Sequence, residues 1–241
     1  LEGYEYLINE AGLPGQLLSW SHFDEYLKSN LLAVERLIRM AQFSGIRTMI
    51  QASTSSVYGT NAIGNEDQPT VPCSPYGVSK LAAEHLINCL QPDTDIEIRV
   101  LRYFSVYGPG QRPDMAISKF LRAIELGRPV QITGDGHQLR DCTYVDDIVN
   151  GTLRCLFLAD GSGTYNLSSG VQHSVNDIVN SCFEVSGRSV QIEYLPRPHG
   201  DQEETHGDST RAREVFGYLP QVSLRLGIAS QLDEIRRESS I

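Results

Sequence analysis

The 241-residue chain sets 20 Lys and Arg against 30 Asp and Glu, a net charge of −10, and is 40% hydrophobic. That size suits one large or two small globular domains. The acidic balance, without any Lys/Arg block, argues against nucleic acid or an anionic membrane surface as partner. One or two local arginines still suffice to hold a small anion. The longest apolar stretches fall short of a membrane span, and the first residues do not read as a signal peptide. Five cysteines (Cys73, Cys89, Cys142, Cys155, Cys182) are odd in number, scattered and without metal-ligand spacing, which suits a reducing cytoplasm and no metal site.

Strands and helices alternate along the chain. Tyr4 to Ile8 reads as a short strand and Phe23 to Gly45 as a helix, its apolar residues Leu27, Leu31, Val34, Leu37, Ile38 and Ala41 at helical spacing. A strand over Arg47 to Ser53, a helix over Pro75 to Leu90 and a strand over Ile96 to Phe104 follow. Ile117 to Leu126 is a helix, Val130 to Thr133 a strand, and Gly134-Asp135-Gly136 a turn. Helices over Val145 to Leu158, Val175 to Val185 and Leu224 to Arg237, with a strand at Tyr165 to Leu167, complete the pattern. Such alternation predicts a parallel sheet with helices on both faces.

Tyr76 and Lys80 stand four residues apart on the helix that Ser74 and Pro75 open, so both face one side. A phenol has a pKa near ~10, and a neighbouring ammonium favours its phenolate, the makings of a proton-transfer site. In parallel sheets ligands bind beyond the carboxyl ends of the strands. Thr54 and Ser105 end successive strands there, so three hydroxyls and an amine converge. A Tyr/Lys pair at this spacing is by itself common, and Ser53 reads as a simple turn cap.

Ser53-Thr54-Ser55-Ser56-Val57-Tyr58-Gly59, Ser74-Pro75-Tyr76-Gly77-Val78-Ser79-Lys80 and Arg102-Tyr103-Phe104-Ser105-Val106-Tyr107-Gly108-Pro109-Gly110-Gln111-Arg112-Pro113-Asp114-Met115 occur in that order. Gly134-Asp135-Gly136 and Arg140-Asp141-Cys142-Thr143-Tyr144-Val145-Asp146-Asp147 follow. Together they resemble the extended short-chain dehydrogenase/reductase family, in its nucleotide-sugar epimerase and dehydratase branch. The resemblance implies a doubly wound α/β Rossmann-like parallel sheet, incomplete at its N-terminus, with a smaller C-terminal substrate domain. The dinucleotide-binding part would be residues 1–108 and 141–169, and the nucleotide-sugar part residues 109–140 and 170–241.

By the same resemblance the cofactor is NAD and the substrate a UDP-sugar. Tyr76 would take the proton of the sugar 4-hydroxyl, Lys80 would hold the nicotinamide ribose and acidify Tyr76, and Thr54 would bond the reacting oxygen. Ala11, Gly12, Asn30, Ser53, Tyr103 and Phe104 would line the cofactor together with Tyr76 and Lys80. Dehydratases of the branch carry an Asp-Glu pair after the threonine. Here Ser55 and Ser56 stand there and cannot do acid/base work at neutral pH. With Ser105 these hydroxyls could clamp a sugar carboxylate, which points to C4 epimerisation of UDP-glucuronate to UDP-galacturonate; simple capping by Ser55 and Ser56 is the competing reading. Arg112 and Arg140, with Arg197 behind them, are pyrophosphate candidates, or ordinary surface ion pairs. Gln131 and Thr133 would face the uracil, while Asp146 and Asp147 read as helix caps. Relatives dimerise through the helix containing Tyr76 and the one before it, so a homodimer is implied.

The glycine-rich phosphate turn of the family is missing from the sequence, Asn9 replaces its usual His, and Leu17 stands where relatives often carry Arg. About 70–80 leading residues of the usual βαβαβ half would precede Leu1. Two other readings therefore stand beside epimerisation: a keto-sugar reductase, and a truncated remnant that works through association.

Overall fold

The computed structural model describes residues 1–238. β1 (Tyr6–Asn9) leads through a loop to α1 (Phe23–Leu27) and α2 (Ala33–Gln42), which one π turn over Lys28–Leu32 separates. The sequence reads as one unbroken helix here. The wider turn instead lets the buried Asn30 side chain reach back to the loop after β1. β2 (Thr48–Thr54), β3 (Asn61–Gly64), α3 (Pro75–Leu90), β4 (Glu97–Tyr103) and β5 (Ser105–Tyr107) follow. Next come α4 (Ala116–Glu125), β6 (Val130–Thr133), β7 (Leu139–Tyr144), α5 (Val145–Leu158) and β8 (Gly163–Leu167). The chain then forms β9 (Gln172–Ser174), α6 (Val175–Ser186), β10 (Ile192–Leu195), β11 (Glu204–Gly207), α7 (Thr210–Phe216) and α8 (Leu224–Glu238).

β1, β2, β4 and β8 form a parallel sheet in that spatial order. Every residue of β2 is buried, as a strand covered on both faces requires. On one face Val34, Ile38, Ala83 and Ile87 of α2 and α3 pack against Met49, Ile98 and Val100. On the other, Ile148, Cys155, Ala212 and Phe216 of α5 and α7 pack against Ile50, Leu101, Tyr165 and Leu167. Each Val, Ile, Leu, Met or Phe among them contributes ~1.5–3 kcal/mol by leaving water. The expected doubly wound Rossmann-like sheet is thus the observed one, with the carboxyl ends of β2 and β4 side by side.

A further core gathers α4, α6 and α8 around β6 and β7 through Leu121, Ile124, Ile132, Val179, Ile228 and Leu232. β6 pairs with β10, while β3, β11, β7 and β5 make another sheet that β9 joins by antiparallel pairing to β7. Most of these strands escape the sequence reading because they hold three or four residues, several polar, and pair across long separations, as Asn61–Gly64 does with Glu204–Gly207. The last three residues of the segment 170–241, assigned from sequence to the nucleotide-sugar part, lie outside the described residues.

Candidate active site

At the carboxyl end of β2 the chain turns into a short 3-10 segment, Ser55–Tyr58, and the Thr54 hydroxyl caps it by accepting from the Ser56 N–H at 3.1 Å. Residues 54–58 are all buried. α3 begins as expected: the Ser74 hydroxyl accepts from the Gly77 N–H at 3.2 Å, and Pro75 fills the first helical position. Gly77 is required there, since a Cβ would fall 2.6 Å from the Ser56 carbonyl oxygen. The first turn of α3 therefore lies directly on the 3-10 segment. This brings the Tyr76 phenol into hydrogen bonding with the Thr54 hydroxyl. One turn on, the buried Lys80 amine donates to the Ala52 carbonyl at 2.6 Å.

The electrostatics differ from the sequence expectation. Burial raises the Tyr76 pKa; the Thr54 hydrogen bond opposes this, the edge-on Tyr26 ring adds to it, and Arg112 opposes it more weakly. Acidification by Lys80 is not what the protein presents, because burial dominates and the amine is engaged by Ala52. Lys80 itself is pushed down to about 8 by burial, against the pull of Glu10 and Glu84. It is thus a cation at neutral pH that loses its proton in the mildly alkaline range.

Around the end of β1, Asn9 donates to Gln51 at 2.8 Å and accepts from the Ala11 N–H at 3.2 Å. Asn30 accepts from the Leu13 N–H at 2.8 Å and donates to the Leu13 carbonyl and the Ser79 hydroxyl, each at 3.0 Å. A Cβ at Gly12 would sit 2.8 Å from the Asn30 oxygen. The loop thus offers bare backbone at Ala11 and Gly12. Tyr103 donates to Glu10 at 2.7 Å and meets the Thr152 hydroxyl at 2.9 Å. Two expectations need correction. Ser53 does not cap the turn; its hydroxyl points into the protein and donates to Glu84, because Thr54 holds the cap. The Phe104 ring is core, packed with Val57, Tyr58 and Ala62, rather than free to line a cofactor.

On the other side of Tyr76, the Ser56 hydroxyl accepts from Gln16 at 3.3 Å, and Gln202 donates to the Ser55 and Gly59 carbonyls at 3.4 and 2.9 Å. Ser105, half-buried, opens β5 beside Cys142 of β7. Arg112 pairs with Asp114 at 2.8 Å and reaches the Tyr76 phenol electrostatically. Arg140 and Arg197 converge on Asp201, at 2.9 and 3.7 Å. The structure therefore brings two of the three arginines together and leaves Arg112 nearer the phenol. Gln131 and Thr133 point outward from β6. Asp147 is no cap: its carboxylate accepts from the Gln221 and Val222 N–H groups, fixing the approach to α8. Among the described residues no cluster could hold a metal ion, and no helix is long and apolar enough to cross a membrane. A surface depression of about 570 Å³ among Ile63, Ser168, Asp208, Arg213 and Tyr218 contains none of these site residues.

Residues 1–168 match the profile of the NAD dependent epimerase/dehydratase family. The chain belongs to that family. It is 35% identical over 235 residues to an uncharacterized UDP-glucose epimerase of Bacillus subtilis (strain 168), covering 96% of this chain and 74% of that protein. It is also 35% identical over 225 residues to a UDP-glucuronate 4-epimerase of Thermodesulfobacterium geofontis (strain OPF15), covering 92% and 69%. Among solved structures, MoeE5 in complex with UDP-glucuronic acid and NAD superimposes with a TM-score of 0.94 at 40% identity, covering 98% of this chain and 81% of that one. A UDP-glucuronic acid 4-epimerase from Bacillus cereus, in complex with UDP-glucuronic acid and NAD, gives 0.94 at 35% identity, covering 97% and 76%.

The chain is accordingly an NAD-dependent epimerase of the UDP-sugar 4-epimerase kind. Within this epimerase, sequence reasoning misses Glu10, Gln16, Glu84 and Gln202. For Glu84 a signal exists: it continues the spacing of Tyr76 and Lys80 by one more turn. For the two glutamines none does, since their partners lie 40 to 147 residues away.

Proposed function

We propose that the chain catalyses C4 epimerisation of UDP-glucuronate to UDP-galacturonate, with Tyr76, Lys80 and Thr54 as the reacting constellation. The observation that carries this reading is the buried hydroxyl run Thr54-Ser55-Ser56, packed against the start of the Tyr76 helix and holding no carboxylate. Elimination chemistry needs an acid and a base at those two positions, and serines supply neither. Hydroxyl donors suit a sugar carboxylate, and holding that carboxylate in place opposes loss of CO2 from a 4-keto acid. Two of the similar structures are complexes with UDP-glucuronic acid and NAD, which supports the same substrate.

The residues present fit the nicotinamide end of NAD. The Ala11–Gly12 backbone is exposed and held on either side by Asn9, which accepts from Ala11, and by Asn30, which grips Leu13, and the Lys80 amine has donors to spare beyond Ala52. When bound, NAD supplies the hydride acceptor and donor. Tyr76 accepts the proton of the 4-hydroxyl and later returns it, and Thr54 holds the reacting oxygen by the hydrogen bond it now shares with the phenol. Lys80, cationic at neutral pH and one turn further along α3, opposes the cost of negative charge on the phenol oxygen. Arg140 and Arg197, drawn together by Asp201, are placed to share their guanidinium forks with a pyrophosphate, and Arg112 approaches from the Tyr76 side. Gln131 and Thr133 would take the uracil. Leu32, Met40, Phe43 and Val78, exposed apolar residues on or next to α2 and α3, support a homodimer through those helices.

Incubation with UDP-glucuronate and NAD, followed by anion-exchange separation of the sugars, should yield UDP-galacturonate. Tyr76→Phe should lower the rate ~10²–10⁴-fold, the scale of a lost general base. Conversion of UDP-glucose to UDP-galactose without any action on UDP-glucuronate would sink the substrate assignment. Reduction that consumes external NADPH would favour the reductase instead.

A further inference from the structure

Tyr76, Lys80 and Glu84 recur every four residues on α3 and face the sheet together. Glu84 is 5% exposed, and its partner Arg102 of β4 is 7% exposed. Arg102 donates to both carboxylate oxygens, at 2.6 Å from Nη2 and at 3.1 and 3.2 Å from Nε. Ser53 of β2, adjacent to Thr54, donates to the same carboxylate at 2.5 Å. Arg102 also donates to the Tyr58 hydroxyl at 2.8 Å, and Tyr58 in turn donates to Asn166 of β8 at 2.7 Å. One carboxylate therefore ties the helix bearing Tyr76 to the strands bearing Ser53 and Arg102.

A buried ion pair is a poor source of stability, because the cost of stripping water from both charges rivals their attraction. Two well-packed apolar side chains would join α3 to the sheet equally well. What apolar residues cannot supply is a fixed negative charge one turn from the Lys80 amine. We propose, on the epimerase reading above, that Glu84 is a positioning residue: it sets α3 against Ser53 and Thr54 and provides, beside Glu10, a counter-charge for Lys80. Two carboxylates act on Lys80. Glu10 approaches from the loop after β1 and Glu84 from α3 itself, both favouring the ammonium, while Arg102 stands behind Glu84 and Tyr76 one turn before. The sheet meets the amine with the Ala52 carbonyl. Removal of Glu84 takes away one of the two carboxylates that favour the ammonium, so burial is less opposed and the amine gives up its proton at lower pH.

The chain contains three lysines, Lys28, Lys80 and Lys119, so lysine side-chain NMR with [13Cε]lysine can follow Lys80 directly, assigned by Lys28→Arg and Lys119→Arg. The midpoint of Lys80 should fall by about one pH unit or more in Glu84→Gln. It should stay near that of the unaltered chain in Glu84→Asp, which keeps the charge. Should Glu84→Gln fail to fold because Arg102 is left unpaired, the double variant Glu84→Met with Arg102→Met carries the test, and its Lys80 midpoint should also fall. An unchanged Lys80 midpoint in the folded double variant overturns the proposal. The alkaline limb of kcat should move to lower pH with the NMR midpoint, with KM little changed, and a limb that stays put also counts against it. The NMR titration needs no turnover, so a chain that acts on no UDP-sugar refutes the epimerase reading while leaving Glu84 to be judged by its effect on Lys80.

Discussion

Lys80 illustrates the conflict between what a site needs and what a fold prefers. It is 8% exposed, and burial holds its pKa at about 8 against an ordinary value of 10.5. Below pH 8 both folded and unfolded chains carry the proton, so the folded chain bears the full cost of a buried charge, roughly 3 kcal/mol at most. Between pH 8 and 10.5 the unfolded chain binds more protons than the folded one, so stability rises with pH across that window. Lys80→Met should therefore unfold at higher urea than the unaltered chain at pH 7, by ~1–2 kcal/mol after the lost bond to Ala52 is deducted. The advantage should shrink as pH climbs past 8, while epimerase activity is lost throughout. Equal urea midpoints at pH 7 would contradict a buried, charged Lys80. The pairing of Tyr76 with Lys80 was legible from spacing and capping alone. The direction of the Tyr76 pKa was not, because it depends first on burial, which only the folded chain sets.

At the scale of elements, α3 is legible from end to end, since Ser74, Pro75 and the apolar run announce it. Its seat is not: that depends on Gly77, whose missing side chain admits the Ser56 carbonyl. Gly77→Ala gains helix propensity of ~1 kcal/mol and would be stabilising in an isolated helix. Here the added carbon must push α3 off the 3-10 segment, which separates the Tyr76 phenol from the Thr54 hydroxyl. The expected outcome is a kcat at least ~100-fold lower, the scale of an ångström misplacement, with a loss rather than a gain of thermal stability. A thermal midpoint above that of the unaltered chain would refute this packing argument. The π turn between α1 and α2 was equally hidden, because 3.6-residue periodicity continues on both sides of it. Its consequence is Asn30, which holds the loop after β1 by two hydrogen bonds to Leu13 and ties it to α3 by a third to Ser79. Asn30→Ala should destabilise by ~2–3 kcal/mol through the buried partners it strands, and should weaken NAD binding measured by calorimetry.

The whole molecule depends on joints between sheets, and these were the least legible feature of the chain. The strands concerned are short and polar, and their partners lie far along the sequence, so no local pattern marks them. Asp141 of β7, wholly buried, holds one such joint. One of its oxygens accepts from the Ser169 N–H and hydroxyl, the other from the Gly170 and Gly207 N–H groups. It thereby ties β7 to the loop after β8 and to β11, linking the sheet that ends at Thr54 with the strands around Arg140. Burial raises its pKa despite those donors. In the range between the unfolded and folded values the folded chain retains more protons, so this group favours folding at low pH and loses that advantage as pH rises. Because both oxygens accept, an amide in either orientation turns its NH2 toward N–H groups. Asp141→Asn, nearly identical in shape, should consequently destabilise by ~2–4 kcal/mol. It should also uncouple the two halves of the molecule. The single tryptophan, Trp20, its ring tilted against that of His199, reports the contact between the loop after β1 and the segment before β11. In urea the Trp20 fluorescence transition should precede the far-UV circular dichroism transition in Asp141→Asn and coincide with it in the unaltered chain. Coincident transitions in the variant would mean that the sheets are held together without this carboxylate.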